Sequence, residues 1–203
     1  MPQSLNYRKE SPSQTAGPYV HIGLVPGAAG FSIFRQELGQ DIAGPQAPGE
    51  RIRVEGIVTD GTGAPVKDVL LEVWQSDAAG LYPYGKDPRD ADCAPDFRGW
   101  GRVITDLETG LWTFDTIKPG SVMGRNGRAM APPINLWIVA RGINIGLNTR
   151  MCFEDEDNST DPVLNLIEQV DRRQTLLARR VNPGHYRFDI RLQGIDETVF
   201  MDV

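Results

Sequence analysis

The sequence is short of the residues on which most enzymes depend. It has two histidines, His21 and His185, and two cysteines, Cys93 and Cys152, in 203 residues. Two cysteines so far apart make neither a disulfide framework nor a zinc pattern. No HExxH, CxxC, P-loop, GxSxG or GxGxxG occurs. That removes the main support for zinc-protease, thiol-redox, nucleotide-binding and α/β-hydrolase readings. An apolar run of about 18 residues is missing, and residues 1–20 carry no apolar signal core. A cytoplasmic protein without a membrane partner is therefore expected. Positive charge is scarce too, with 21 Lys and Arg against 27 Asp and Glu and a net charge of −6. This balance argues against nucleic acid or an anionic membrane as partner.

What is abundant points to turns and strands. The chain has 22 glycines and 15 prolines, too many for a helical protein, in an otherwise ordinary globular composition of 40% hydrophobic and 24% charged residues. Its length suits a single domain over 1–203 with a sizeable core. Residues 1–18, polar and broken by Pro12, Gly17 and Pro18, read as an extended N-terminal arm. RIRVEGIV (51–58) alternates with Ile52 and Val54 inward, TDGTGAPV is a turn, and VLLEVWQ (69–75) is a buried strand. Residues 76–99 and 118–133 form two long Gly/Pro loops, the kind that carry function when ordered. Further strands are expected at 100–105, 111–115, 134–141, 147–153 and 185–193. One helix is expected over 161–180, where Val163, Ile167, Val170 and Leu177 recur at three-to-four spacing after an Asp161–Pro162 start. The fold class is mainly β: a two-sheet β-sandwich from about residue 50 to 203, with long loops and one or two short helices.

Candidate chemistry is sparse. The acidic stretch EDEDN (154–158) lacks the spacing of a calcium loop and reads as a solvated turn. PPINLWI (132–138) is more informative. Ile134, Leu136 and Ile138 form a core face, while Asn135 and Trp137 pair an amide with an indole on the other.

Seven stretches then point one way. SQTAGPY (13–19), LEVWQSDAAGLY (71–82), RGWGRVITD (98–106), TIKPGSVMGRNG (116–127), ARGINI (140–145), VLNLIEQ (163–169) and YRFDIRLQG (186–194) together resemble the intradiol ring-cleaving dioxygenases. The resemblance keeps the motif order across nearly the whole chain. It implies a β-sandwich of the intradiol dioxygenase (prealbumin-like) kind and O₂-dependent cleavage of a catecholic acid such as protocatechuate to 3-carboxy-cis,cis-muconate, in aromatic catabolism by the β-ketoadipate route. In catalytic members two tyrosines and two histidines hold Fe(III), for which hard phenolate donors are suited.

Carried onto this sequence, those four positions are Tyr82, Val122, Asn135 and Trp137. One phenol remains, valine has no donor atom, and Trp offers only an N–H. The resemblance therefore implies a relict site with no metal and no catalytic residue in this chain alone. It implies an α-type subunit in αβ protomers of a larger oligomer, with Fe(III) held by the partner β chain. Thr15, Gly17, Pro18 and Arg141 are the residues expected to line that partner's substrate pocket. Two other readings stay open: a self-sufficient dioxygenase using Tyr82, Tyr84 and a histidine, and a non-catalytic β-sandwich binding module.

Overall fold

A computed structural model of the chain describes residues 11–83, 92–124 and 127–202. Its strands are β1 (Arg51–Thr59), β2 (Leu70–Gln75), β3 (Trp100–Ile104), β4 (Leu111–Ile117), β5 (Val122–Met123), β6 (Ala129–Met130), β7 (Ile134–Val139), β8 (Leu147–Phe153), β9 (Leu177–Asn182), β10 (His185–Arg187) and β11 (Ile190–Arg191). One half-sheet runs β3-β2-β7-β8, wholly antiparallel. The other sets β1 antiparallel to β4 and parallel to β10 and β11, with β9 beside β10. The two halves face each other across one core. Ile52, Val54, Trp112 and Tyr186 from one pack with Leu71, Val73, Leu136, Ile138 and Met151 from the other. Removing so large a buried ring as Trp112 typically costs about 3–5 kcal/mol.

The expected two-sheet sandwich is present with one refinement. A short parallel pairing of Cys152 and Phe153 with Leu177 and Ala178 joins the halves. The described strands thus form a nine-stranded, nearly closed sheet plus the small β5–β6 ribbon.

The helix expected over 161–180 does not form as such. Asp161 does cap a turn, its Oδ1 accepting from the backbone N–H of Val163 and Leu164 at 2.8 and 2.9 Å. That turn is a 3₁₀ segment over Leu164–Leu166, followed by four α-helical residues, Val170–Arg173, and another 3₁₀ turn. Val170 is exposed, and Leu177 opens β9. Pairing with β8 overrides local helical spacing here. The strand expected over 185–193 is interrupted between β10 and β11, although Tyr186, Phe188 and Ile190 all point inward as the alternation requires. The arm expected over 1–18, of which residues 11–17 are described, gives way at its expected end to an unexpected short helix, α1 (Pro18–Leu24), with proline in its first turn. Among the described residues no helix is long and apolar enough to cross a membrane.

EDEDN is structural. Asp155 accepts from the Tyr186 hydroxyl at 2.9 Å and pairs with Lys118 at 3.3 Å, and Glu156 pairs with Lys118 at 2.6 Å. Burial pushes the Asp155 carboxyl up, but hydrogen bonds from Tyr186 and Lys118 outweigh it and hold the group below the usual range.

Candidate functional site

Two places gather the residues that the sequence singled out. The first is the outer face of β3-β2-β7-β8. Pairing register sets Trp100, Trp74, Asn135 and Arg150 in one row across the strands, and Arg102, Glu72, Trp137 and Asn148 in the next. Asn135 and Trp137 are half-buried, as their alternation out of the core demands.

Tyr82 reaches this face by stacking on Trp74, with ring centroids 5.9 Å apart. Val122 approaches it from the other long loop. The two loops lie back to back: the Gly120 N–H donates to the Asp77 carbonyl at 2.8 Å, and the Ser76 hydroxyl donates to the Gly120 carbonyl at 3.3 Å. Gly80 sits at φ +81, and any Cβ there would strike the Ser121 carbonyl, so only glycine permits the approach. Gly146 does the same for Trp137, since a Cβ would fall within the indole.

At the β8 end of the first row stands Arg150, whose side chain is only 4% exposed. Its Nη2 donates to the Asp161 carboxylate at 2.9 Å and to the Ala131 carbonyl at 3.2 Å, and Nη1 meets the Met130 sulfur at 3.6 Å. Met130 is the ribbon partner of Val122, and Asn135 is the cross-strand partner of Arg150. So Asn135 and Trp137 share the outer face, Tyr82 joins it through Trp74, and Val122 is tied to it through Met130 and the buried Arg150 guanidinium. Val122 brings hydrocarbon, Trp137 an indole, and Arg150 a guanidinium already paired with Asp161. Ferric iron does not fit this donor set. Among the described residues no cluster of three or more His, Cys, Asp or Glu is arranged for a metal.

The second place is the end of β7. Ala140 is fully buried, and Arg141 emerges beside it with its side chain 70% exposed. Thr15 clamps this corner: its Oγ1 accepts from the Gly142 N–H at 2.6 Å and donates to the Ala140 carbonyl at 3.3 Å. From Thr15 the chain turns into α1, whose far end is held where Arg102 Nη1 donates to the Leu24 carbonyl at 2.9 Å. Arg102 is itself fixed by Glu72 at 2.6 Å, in the row beside Trp137. Gly17, Pro18 and Arg141 therefore line one cavity of about 280 Å³.

The four residues expected at a partner's pocket are thus gathered in one corner. His21, one of the two histidines and not among the residues expected at the pocket, lines the same cavity, and its Nε2 is buried with no hydrogen-bond partner among the described residues. His185 lies elsewhere, with Nε2 3.2 Å from a Glu55 carboxylate oxygen. Neither histidine stands on the strand of Asn135 and Trp137, and Tyr84 lies outside the described residues.

The scaffold is a near-closed β-sandwich with two long loops tied together by hydrogen bonds at Gly120. Residues 30–194 match the protein family described as Dioxygenase. The chain is 51% identical over 198 residues to the protocatechuate 3,4-dioxygenase alpha chain of Pseudomonas putida, covering 95% of this chain and 96% of that one. To the protocatechuate 3,4-dioxygenase beta chain of Burkholderia cepacia it is 39% identical over 160 residues, covering 74% and 67%. Its fold superposes on the dioxygenase domain of a carbohydrate-binding fusion protein from Streptomyces sp. SirexAA-E with a TM-score of 0.54 at 22% identity, covering 91% and 100%. The chain belongs to the intradiol ring-cleaving dioxygenase family.

Proposed function

We propose that this chain is the alpha-type subunit of a protocatechuate 3,4-dioxygenase, working with an iron-bearing beta-type partner. The observation that carries the reading is the relict face: the fold of a catalytic family is kept, while Val122, Asn135 and Trp137 leave its own metal position short of donors, with the buried Arg150–Asp161 pair beside Asn135. The partner's Fe(III) supplies the activation of the catecholic ring towards O₂. This chain supplies surface. Thr15 fixes the backbone on both sides of Arg141, Gly17–Pro18 brings a low-profile backbone beside it, and the guanidinium offers a permanent charge and planar fork for an aromatic carboxylate.

Activity is expected only when this chain is mixed with its beta-type partner. In that assembly Arg141→Ala should weaken protocatechuate binding or turnover by about 1–3 kcal/mol, the scale of a lost charged hydrogen bond. Steady-state kinetics on the assembled enzyme, with assembly checked by sedimentation, provide the measurement. Full activity of this chain alone contradicts the reading.

A further inference from the structure

Arg141 carries the charge at the cavity corner, yet most of its side chain is in solvent, where a long flexible arginine samples many rotamers. One carboxylate restrains it. Asp68 Oδ2 lies 3.1 Å from Arg141 Nε, and the Asp68 side chain is itself only 30% exposed. The placement follows from strand register. The last paired rung of β2 and β7 is Leu70 with Val139, and Asp68 and Arg141 each lie two residues beyond it at the same end of the pair.

Both backbones are anchored there. Val69 and Leu70 are fully buried directly after Asp68, and the Val69 N–H donates to Thr105 Oγ1 at 3.0 Å. Ala140 is buried directly before Arg141, and Thr15 bonds to either side of it. The pair stands between two hollows, since Asp68 and Arg141 line both the 280 Å³ cavity beside Gly17–Pro18 and a larger cavity of about 860 Å³.

We propose that Asp68 is a positioning residue for Arg141: by engaging Nε it fixes the guanidinium plane and leaves the Nη edge for the carboxylate of an aromatic acid. This deepens the function proposed above and rests on it. A carboxylate at Nε occupies one side of the fork, while a bidentate contact to a second carboxylate needs only the remaining donors. A short aspartate with few rotamers, held by a buried strand, orders the arginine before the ligand arrives.

The alternative role for the same carboxylate has the opposite sign. If Asp68 only neutralised Arg141, its removal would strengthen the pull on an acidic substrate. Asp68→Asn in the assembled enzyme therefore decides between them. Positioning predicts that KM and the anaerobic dissociation constant for protocatechuate rise roughly threefold to fivefold, the reach of an exposed ion pair, with kcat nearly unchanged. Catechol, which lacks the carboxylate, should show no change, and Asp68→Asn in an Arg141→Ala background should add nothing. In the isolated chain, exchange of the Arg141 Nε proton should accelerate in the Asp68→Asn variant. A fall in the protocatechuate constants, an equal effect on catechol, or a fully additive double variant overturns the proposal. An Arg141→Ala enzyme with unchanged protocatechuate binding overturns the pocket assignment as well, and so separates the two failures.

Discussion

Asn135 and Trp137 sit half-buried on a face that points away from the core, at the two positions where the resemblance implies imidazoles in catalytic members. Simple replacement of donors should not rebuild the metal site. Register holds the Arg150 side chain beside position 135, and its guanidinium is buried and paired within the same pocket of loops. The guanidinium, already paired with Asp161, fills the space beside position 135 and has only N–H donors, with no lone pair to offer a metal. The triple variant Val122→Tyr, Asn135→His, Trp137→His is therefore expected to hold far less than one iron per chain. Adding Arg150→Met with Asp161→Leu, which removes both charges of the pair, should raise that occupancy. Metal analysis and the visible tyrosinate absorption read the outcome, and one iron in the triple variant alone contradicts it. At this scale the sequence was partly legible. Tyr82, Val122, Asn135 and Trp137 could be placed only by resemblance, because no spacing within this chain marks them. Arg150 and Asp68 went unread: each matters through its cross-strand partner, and strand pairing is not visible in a local pattern. Pairing VLLEVWQ against NLWIV would have exposed Asp68.

Among the elements, the Arg150–Asp161 pair ties β8 to the loop over 118–133 and to the turn at 161–166. The Asp161 carboxylate also accepts from the Ala131 N–H at 2.8 Å and caps the following 3₁₀ turn. Breaking one partner of so buried a pair leaves an uncompensated charge, so Asp161→Asn should destabilise the chain by about 3–5 kcal/mol. Urea unfolding measures this. Arg150→Met with Asp161→Leu should lose less than the two single changes summed. A second element, the Glu154–Asp157 loop, makes stability depend on acid. The Asp155 carboxyl is held below its ordinary value, so its contribution is complete above about pH 4 and lost as pH falls through the depressed pKa. Thermal unfolding between about pH 2 and 5 should slope less steeply for Asp155→Asn than for the parent chain. The strands over 51–59 and 70–75 were legible because alternation and burial coincide there. The stretch 161–180 was not, because Leu177 and Ala178 answer to β8 rather than to their neighbours. Helix α1 was missed because Gly17 makes no side-chain cap and only Pro18 hints at a start.

For the whole molecule, the two gathered sites differ in what they offer. The relict face is filled by its own side chains, whereas the Arg141 corner is open and rimmed by apolar surface. Phe31 and Leu107 line the small cavity and are 49% and 58% exposed, and Tyr19 beside Pro18 is 84% exposed. On the αβ reading this rim meets the beta-type partner. Phe31→Asp or Leu107→Asp should weaken assembly by about 1–2 kcal/mol or more, as charges do in a desolvated interface centre, while the isolated chain keeps its thermal stability. Sedimentation of the mixed chains tests this. The central claim is a division of labour, in which iron stays with one chain and this chain shapes the other's pocket. Co-purification of the assembled enzyme, followed by metal analysis of the separated chains, tests it most directly. The account predicts stoichiometric iron on the beta-type chain and almost none on this one. Stoichiometric ferric iron on this chain would contradict it.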